Sequence, residues 1–93
     1  MRIAQVIGNV TLSRVHPSLH GGRFRLATPL TLGDLRSREP SENEAIVIYD
    51  ELNAGSGQWI AVSEGGEAAQ PFYPEEKPLD AYNAAIIDQL TLE

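Results

Sequence analysis

The chain has no cysteine among its 93 residues. That one absence excludes disulfide frameworks, thiolate zinc centres and cysteine nucleophiles together. Aromatic side chains are also sparse and scattered: one Trp, three Tyr and two Phe. A base-stacking platform has little to build on. Lysine occurs once, at position 77, and the net charge is −6, a poor basis for a broad phosphate-binding surface. The longest apolar runs, Ala45–Tyr49 and Ala84–Ile87, fall far short of the roughly 20 residues of a membrane-spanning helix. No apolar stretch follows Met1–Gln5, as a secretory leader would require. The expectation is one small cytoplasmic domain over residues 1–93, with no membrane partner.

With 42% hydrophobic residues the chain is too apolar to be disordered by composition. A domain of this length buries only about two-thirds of the surface its unfolded form exposes, so contact with further copies is a natural source of stability. The charges are unevenly placed. Residues 1–38 carry six arginines against Asp34, a local +5, and residues 39–93 carry Lys77 against twelve acids, a local −11. Such a division suits either a basic nucleic-acid patch beside an acidic remainder or two surfaces that meet when identical chains pack head to tail.

Periodicity points to strands. Ala4, Val6, Gly8, Val10 and Leu12 alternate with Ile3, Gln5, Ile7, Asn9 and Thr11, which is the period of a strand with one buried face. The second face is mixed rather than polar, as in a strand that also touches something outside. Gly8 in its middle suggests a bend. Pro17-Ser18 and Gly21-Gly22 mark a loop. Arg23–Leu30 alternates again, with Phe24, Leu26, Thr28 and Leu30 on the apolar side and Arg23, Arg25 and Ala27 on the other. Residues 31–43 are polar, with Gly33, Asp34 and Pro40, and read as a hairpin loop. Ala45–Tyr49 and Gln58–Ser63 are two further strands separated by an Asn- and Gly-rich loop. Pro71, Pro74 and Pro78 break regular structure. Asp80 is a candidate N-cap for a short helix over Ala81–Ala85, and Ile86–Leu92 alternates as a last strand. The fold class expected is all-β: a small five-stranded barrel of the oligonucleotide-binding type with one short helix.

The chemistry of an active site does not assemble. His16 and His20 have i, i+4 spacing, but Pro17 lies between them and no third ligand accompanies them. Gly55-Ser56-Gly57 lacks the glycines two before and two after the serine that a nucleophile elbow needs. Asp50 with Glu51, Glu64 with Glu67, and Glu75 with Glu76 are carboxylate pairs in turn-rich segments, and read as solvated surface rather than an acid–base pair. No catalytic residue, metal or cofactor is expected. A nucleic-acid-binding barrel using Arg14, Arg23, Arg25, Arg36 and Arg38 is the alternative, weakened by the acidic balance and by the lack of aromatics between those arginines.

Three stretches in order resemble the EutN/CcmL family, the vertex proteins of bacterial microcompartment shells. The first is Met1–Val10 with His16-Pro17-Ser18-Leu19-His20-Gly21. The second is Ala54–Ala69, containing Gly55-Ser56-Gly57, an apolar strand and a Gly65-Gly66 loop. The third is Pro78-Leu79-Asp80-Ala81 through Ala84–Asp88. The family turn usually reads Gly-Ala-Gly, and a basic residue is common where Ala69 stands here. The resemblance implies a pentameric ring, a structural role at shell vertices, and two kinds of partner: further copies of the chain, and the hexameric and pseudohexameric proteins of the facets. It implies no nucleic acid. It also assigns Ser63, Glu64, Gly65, Gly66 and Glu67 to a loop at the ring axis, with Glu67 making that axis more acidic than usual. Arg23, Arg25, Gln5 and Ile7 become the candidates for the contact between subunits, with the charge division as its two sides.

Overall fold

Alternation in the first segment becomes β1 (Arg2–Val10), and the later strands follow as β2 (Arg23–Pro29), β3 (Ile46–Asp50), β4 (Trp59–Glu64) and β5 (Ala81–Ile87), with a helix α1 (Leu32–Ser37) between β2 and β3. The structure is a computed structural model and describes residues 1–11, 23–37, 44–65 and 81–91. The strands close in the order β1-β2-β3-β5-β4. All pairings are antiparallel except β3 with β5, a parallel contact at Tyr49 and Tyr82. Five strands leave an interior just large enough for side chains. Ala4, Val6, Ala27, Ala54, Ile60, Val62 and Ala81 fill it with Ile48, and the frequent alanines match that narrow bore.

Among the described residues the five strands and one helix agree with expectation in number, but the helix lies elsewhere. Ala81–Ala85, expected as a helix, is the body of β5, and the expected strand over Ile86–Leu92 ends as regular structure at Ile87. Alanine has no strong objection to a strand, and β4 offers this segment a full antiparallel edge from Trp59–Ile87 to Glu64–Ala81. Tertiary pairing overrides the local preference. The helix instead falls in the expected hairpin loop. Thr31 and Asp34 cap it reciprocally: the Thr31 N–H donates to Asp34 Oδ2 at 2.9 Å and the Asp34 N–H to Thr31 Oγ1 at 3.1 Å, a capping box. Leu35 is its buried anchor.

The bend at Gly8 is a β-bulge. The β1–β2 register runs Ala4–Pro29, Gln5–Thr28, Val6–Ala27 and then skips to Gly8–Leu26, leaving Ile7 unpaired. A bulge shifts the alternation of all that follows. Up to Val6, even-numbered residues point inward. Beyond it, Asn9 is opposite Arg25 and Val10 opposite Phe24. The two expected faces of β2 are separated as the alternation places them, and the side of Arg25 and Ala27 is the one that meets the core. Arg25 and Ala27 are buried, whereas Phe24 and Leu26 are only half-buried, because Ala27 shares the inner face with Val6 and Arg25 shares it with Ile48.

Candidate assembly surfaces and the buried ion pair

One end of the barrel interior is polar. Arg25 enters it from β2 and is 7% exposed, and Asp50 enters from the end of β3 and is 1% exposed. The Arg25 Nε donates to Asp50 Oδ2 at 3.1 Å. Its Nη2 donates to Asn53 Oδ1 at 3.0 Å and its Nη1 to Asn9 Oδ1. Asp50 also accepts from the Leu52 and Ala54 amides at 2.9 and 2.8 Å and from Asn83 Nδ2 at 2.9 Å. The expectation that Asp50 belongs to a solvated surface pair is therefore corrected. Burial alone would raise its pKa, but the Leu52 amide, the Asn83 amide, the Ala54 amide and the Arg25 guanidinium outweigh it and hold the carboxyl below its ordinary value. The hint in the sequence was local: an Asp at a strand end, followed by a loop whose amides at the second and fourth positions it can cap. Asn53, at φ 60°, completes the turn. Asn83 Oδ1 is buried without a hydrogen-bond partner.

The candidate axis loop begins at the C-terminal end of β4, next to Val62, which pairs with Asn83. Ser63 is buried. Glu64 is paired with Arg2, whose Nε donates to Oε2 at 3.0 Å and whose Nη2 contacts Oε1. Its charge is balanced within the chain. Gly65 has φ 62°, the left-handed conformation that glycine adopts without strain. Gly66 and Glu67 lie outside the described residues, as do Ala69, Pro78, Asp80, both histidines, Arg14 and Arg38.

The four contact candidates have separate placements. Gln5 is half-buried, its Nε2 donating to the Gly57 carbonyl at 3.2 Å. Ile7, the bulge residue, is 51% exposed. Arg23 is exposed and its Nη1 donates to Asn53 Oδ1 at 3.3 Å. Arg25 is inside, as described, and is equally withdrawn from the arginine surface of the nucleic-acid alternative. Sequence reasoning missed Asp50, Asn83 and Asn9, whose convergence depends on three strands and the bulge. Among the described residues no three His, Asp or Glu side chains converge as metal ligands, and no helix is long and apolar enough to cross a membrane.

The family model described as ethanolamine utilisation protein EutN/carboxysome matches residues 1–88. The chain belongs to the EutN/CcmL family. The carboxysome shell vertex protein CcmL of Synechococcus elongatus is 34% identical over 93 residues, covering all of this chain and 89% of that protein. The solved structure of Gloeobacter violaceus CcmL superposes with a TM-score of 0.84 at 30% identity, covering 100% of this chain and 91% of the other. The GrpN pentameric microcompartment shell protein of Rhodospirillum rubrum superposes with a TM-score of 0.80 at 27% identity, over the whole of both chains.

Proposed function

We propose that this EutN/CcmL chain is a structural subunit and not a catalyst: five copies close into a ring that fills the vertices of a polyhedral protein shell. The observation that carries this reading is the likeness to the pentameric GrpN over the whole of both chains. Flat sheets of six-fold tiles close into a polyhedron only where five-fold units interrupt them, so the task is geometric. The facet tiles, hexameric and pseudohexameric, are the outer partners. In this arrangement the loop Ser63–Glu67 faces the five-fold axis, and Gln5, Ile7 and Arg23 contribute to the contact between copies. Arg25 shapes that contact from within by holding Asn53 and Asp50.

Light scattering behind a sizing column tests the ring. A particle of about 50 kDa, five times the 10.1 kDa chain, is expected. A 10 kDa species at micromolar concentration and low salt overturns the proposal.

A further inference from the structure

At one end of β2 and β3 the barrel carries its polarity inside out. An antiparallel sheet with one wetted face places apolar residues inward and charged ones outward. Here the inward residues at one end are Arg25 and Asp50, and the outward row across β1, β2 and β3 is Gly8, Leu26 and Val47. Val47 is 48% exposed, and Ile7 beside this row is the exposed bulge residue. The next row pairs Phe24 with Tyr49, their rings edge-on at 5.4 Å, and is already covered within the chain, with Tyr49 1% exposed. No outward position of these rows is charged.

A second uncharged outer face lies on the other flank of β1. Cross-strand pairing aligns Gln5 with Trp59 and Ile3 with Ala61, then Trp59 with Ile87 and Ala61 with Ala85. Its small centre, half-buried Ala61 beside exposed Ala85, admits close approach. The two faces differ in shape: one presents branched side chains and the other an alanine pair, Ala61 and Ala85, beside the Trp59–Ile87 pair. A head-to-tail ring uses two different faces of each copy, each covered by the other face of a neighbour, and core patches of subunit contacts are depleted of charge.

We infer that the ring closes through these two faces: the β2–β3 outer face of one copy, centred on Leu26 and Val47, seats on the β4–β5 outer face of the next, centred on Ala61 and Ala85. This rests on the ring reading above and adds where its contact lies. The contact is apolar, and charges around it guide encounter more than they set affinity.

Because the chain has no cysteine, single thiols can be placed without background. The double variant Val47→Cys/Ala85→Cys, treated with a short bismaleimide, is expected to give a covalent ladder ending at five chains. Val47→Cys alone and Ala85→Cys alone are expected to stay single, and their mixture to add only two-chain species. Dimers of Val47→Cys alone would overturn the head-to-tail pairing, and an unlinked double variant in an intact ring would overturn the choice of faces. In parallel, Val47→Lys and Ala85→Glu are each expected to lower the solution mass from five chains to one while keeping the strand signal in circular dichroism. A 50 kDa particle surviving Val47→Lys places the contact elsewhere. An unmutated chain that is itself monomeric refutes the ring reading instead, so the two failures are distinguishable.

Discussion

β2 and β4 are both central strands of one barrel, yet their alternations run opposite ways. In β4 the apolar residues Ile60 and Val62 point inward and are fully buried. In β2 the inward residues are Arg25 and the small Ala27, and the larger apolar residues Phe24 and Leu26 point out. Alternation therefore marks the face that leaves water, which need not be the face that meets the core. A chain that completes its burial with further copies has two destinations for an apolar stripe. The cost appears inside, where an ion pair replaces hydrocarbon and every hydrogen-bonding position of the Asp50 carboxylate is used.

The strongest way to break the comparison is to unpair the polar end. Asp50→Ala leaves the Arg25 guanidinium buried without its counter-ion and frees two loop amides. A loss of about 3–5 kcal/mol is expected, measured by urea unfolding at neutral pH. A loss below about 1 kcal/mol would mean that water reaches Arg25. In the apolar half, Ile60→Ala removes a fully buried side chain and is expected to cost about 2–5 kcal/mol, with no change in the salt or acid dependence of unfolding.

Acid sharpens the same contrast. The folded Asp50 carboxyl is held below its ordinary 3.8, so its contribution is complete above that value and fades as pH falls through the lower folded one. The urea midpoint is expected to drop below about pH 4, and Asp50→Asn to remove part of that drop. Ile60→Ala keeps the acid limb intact. The smallest effect is expected at the helix: Thr31→Ala removes one half of the capping box and is expected to cost about 1 kcal/mol, seen as a small fall in thermal midpoint with the particle mass unchanged.

Much of the barrel was legible before any coordinates. β1, β2, β3 and β4 appear within two residues of where alternation and β-branched content place them, because strands write a period of two into the chain. The helix was legible in principle: Thr31 and Asp34 stand three apart with a buried Leu next, but Gly33 and the polar flanks outweighed them. β5 was not legible. Nothing within Ala81–Ile87 forbids a helix, and only the open edge of β4 selects a strand. The buried network was hidden for a different reason. Arg25 joins Asp50, Asn53 and Asn9, and Asp50 in turn joins Asn83, across 16 to 33 residues of sequence, and no local pattern records a meeting of that kind.

By itself, then, the amino-acid order determined the strand segments, the absence of thiol chemistry, and a surface acidic enough to disfavour nucleic acid, since each follows from residue type or short-range period. The tertiary structure decided which side of β2 faces the core. A one-residue bulge at Ile7 exchanges inside for outside along the end of β1, and the closed pairing of β2 with β3 carries Arg25 to Asp50. Side-chain direction depends on register, and register is settled only when the strands meet.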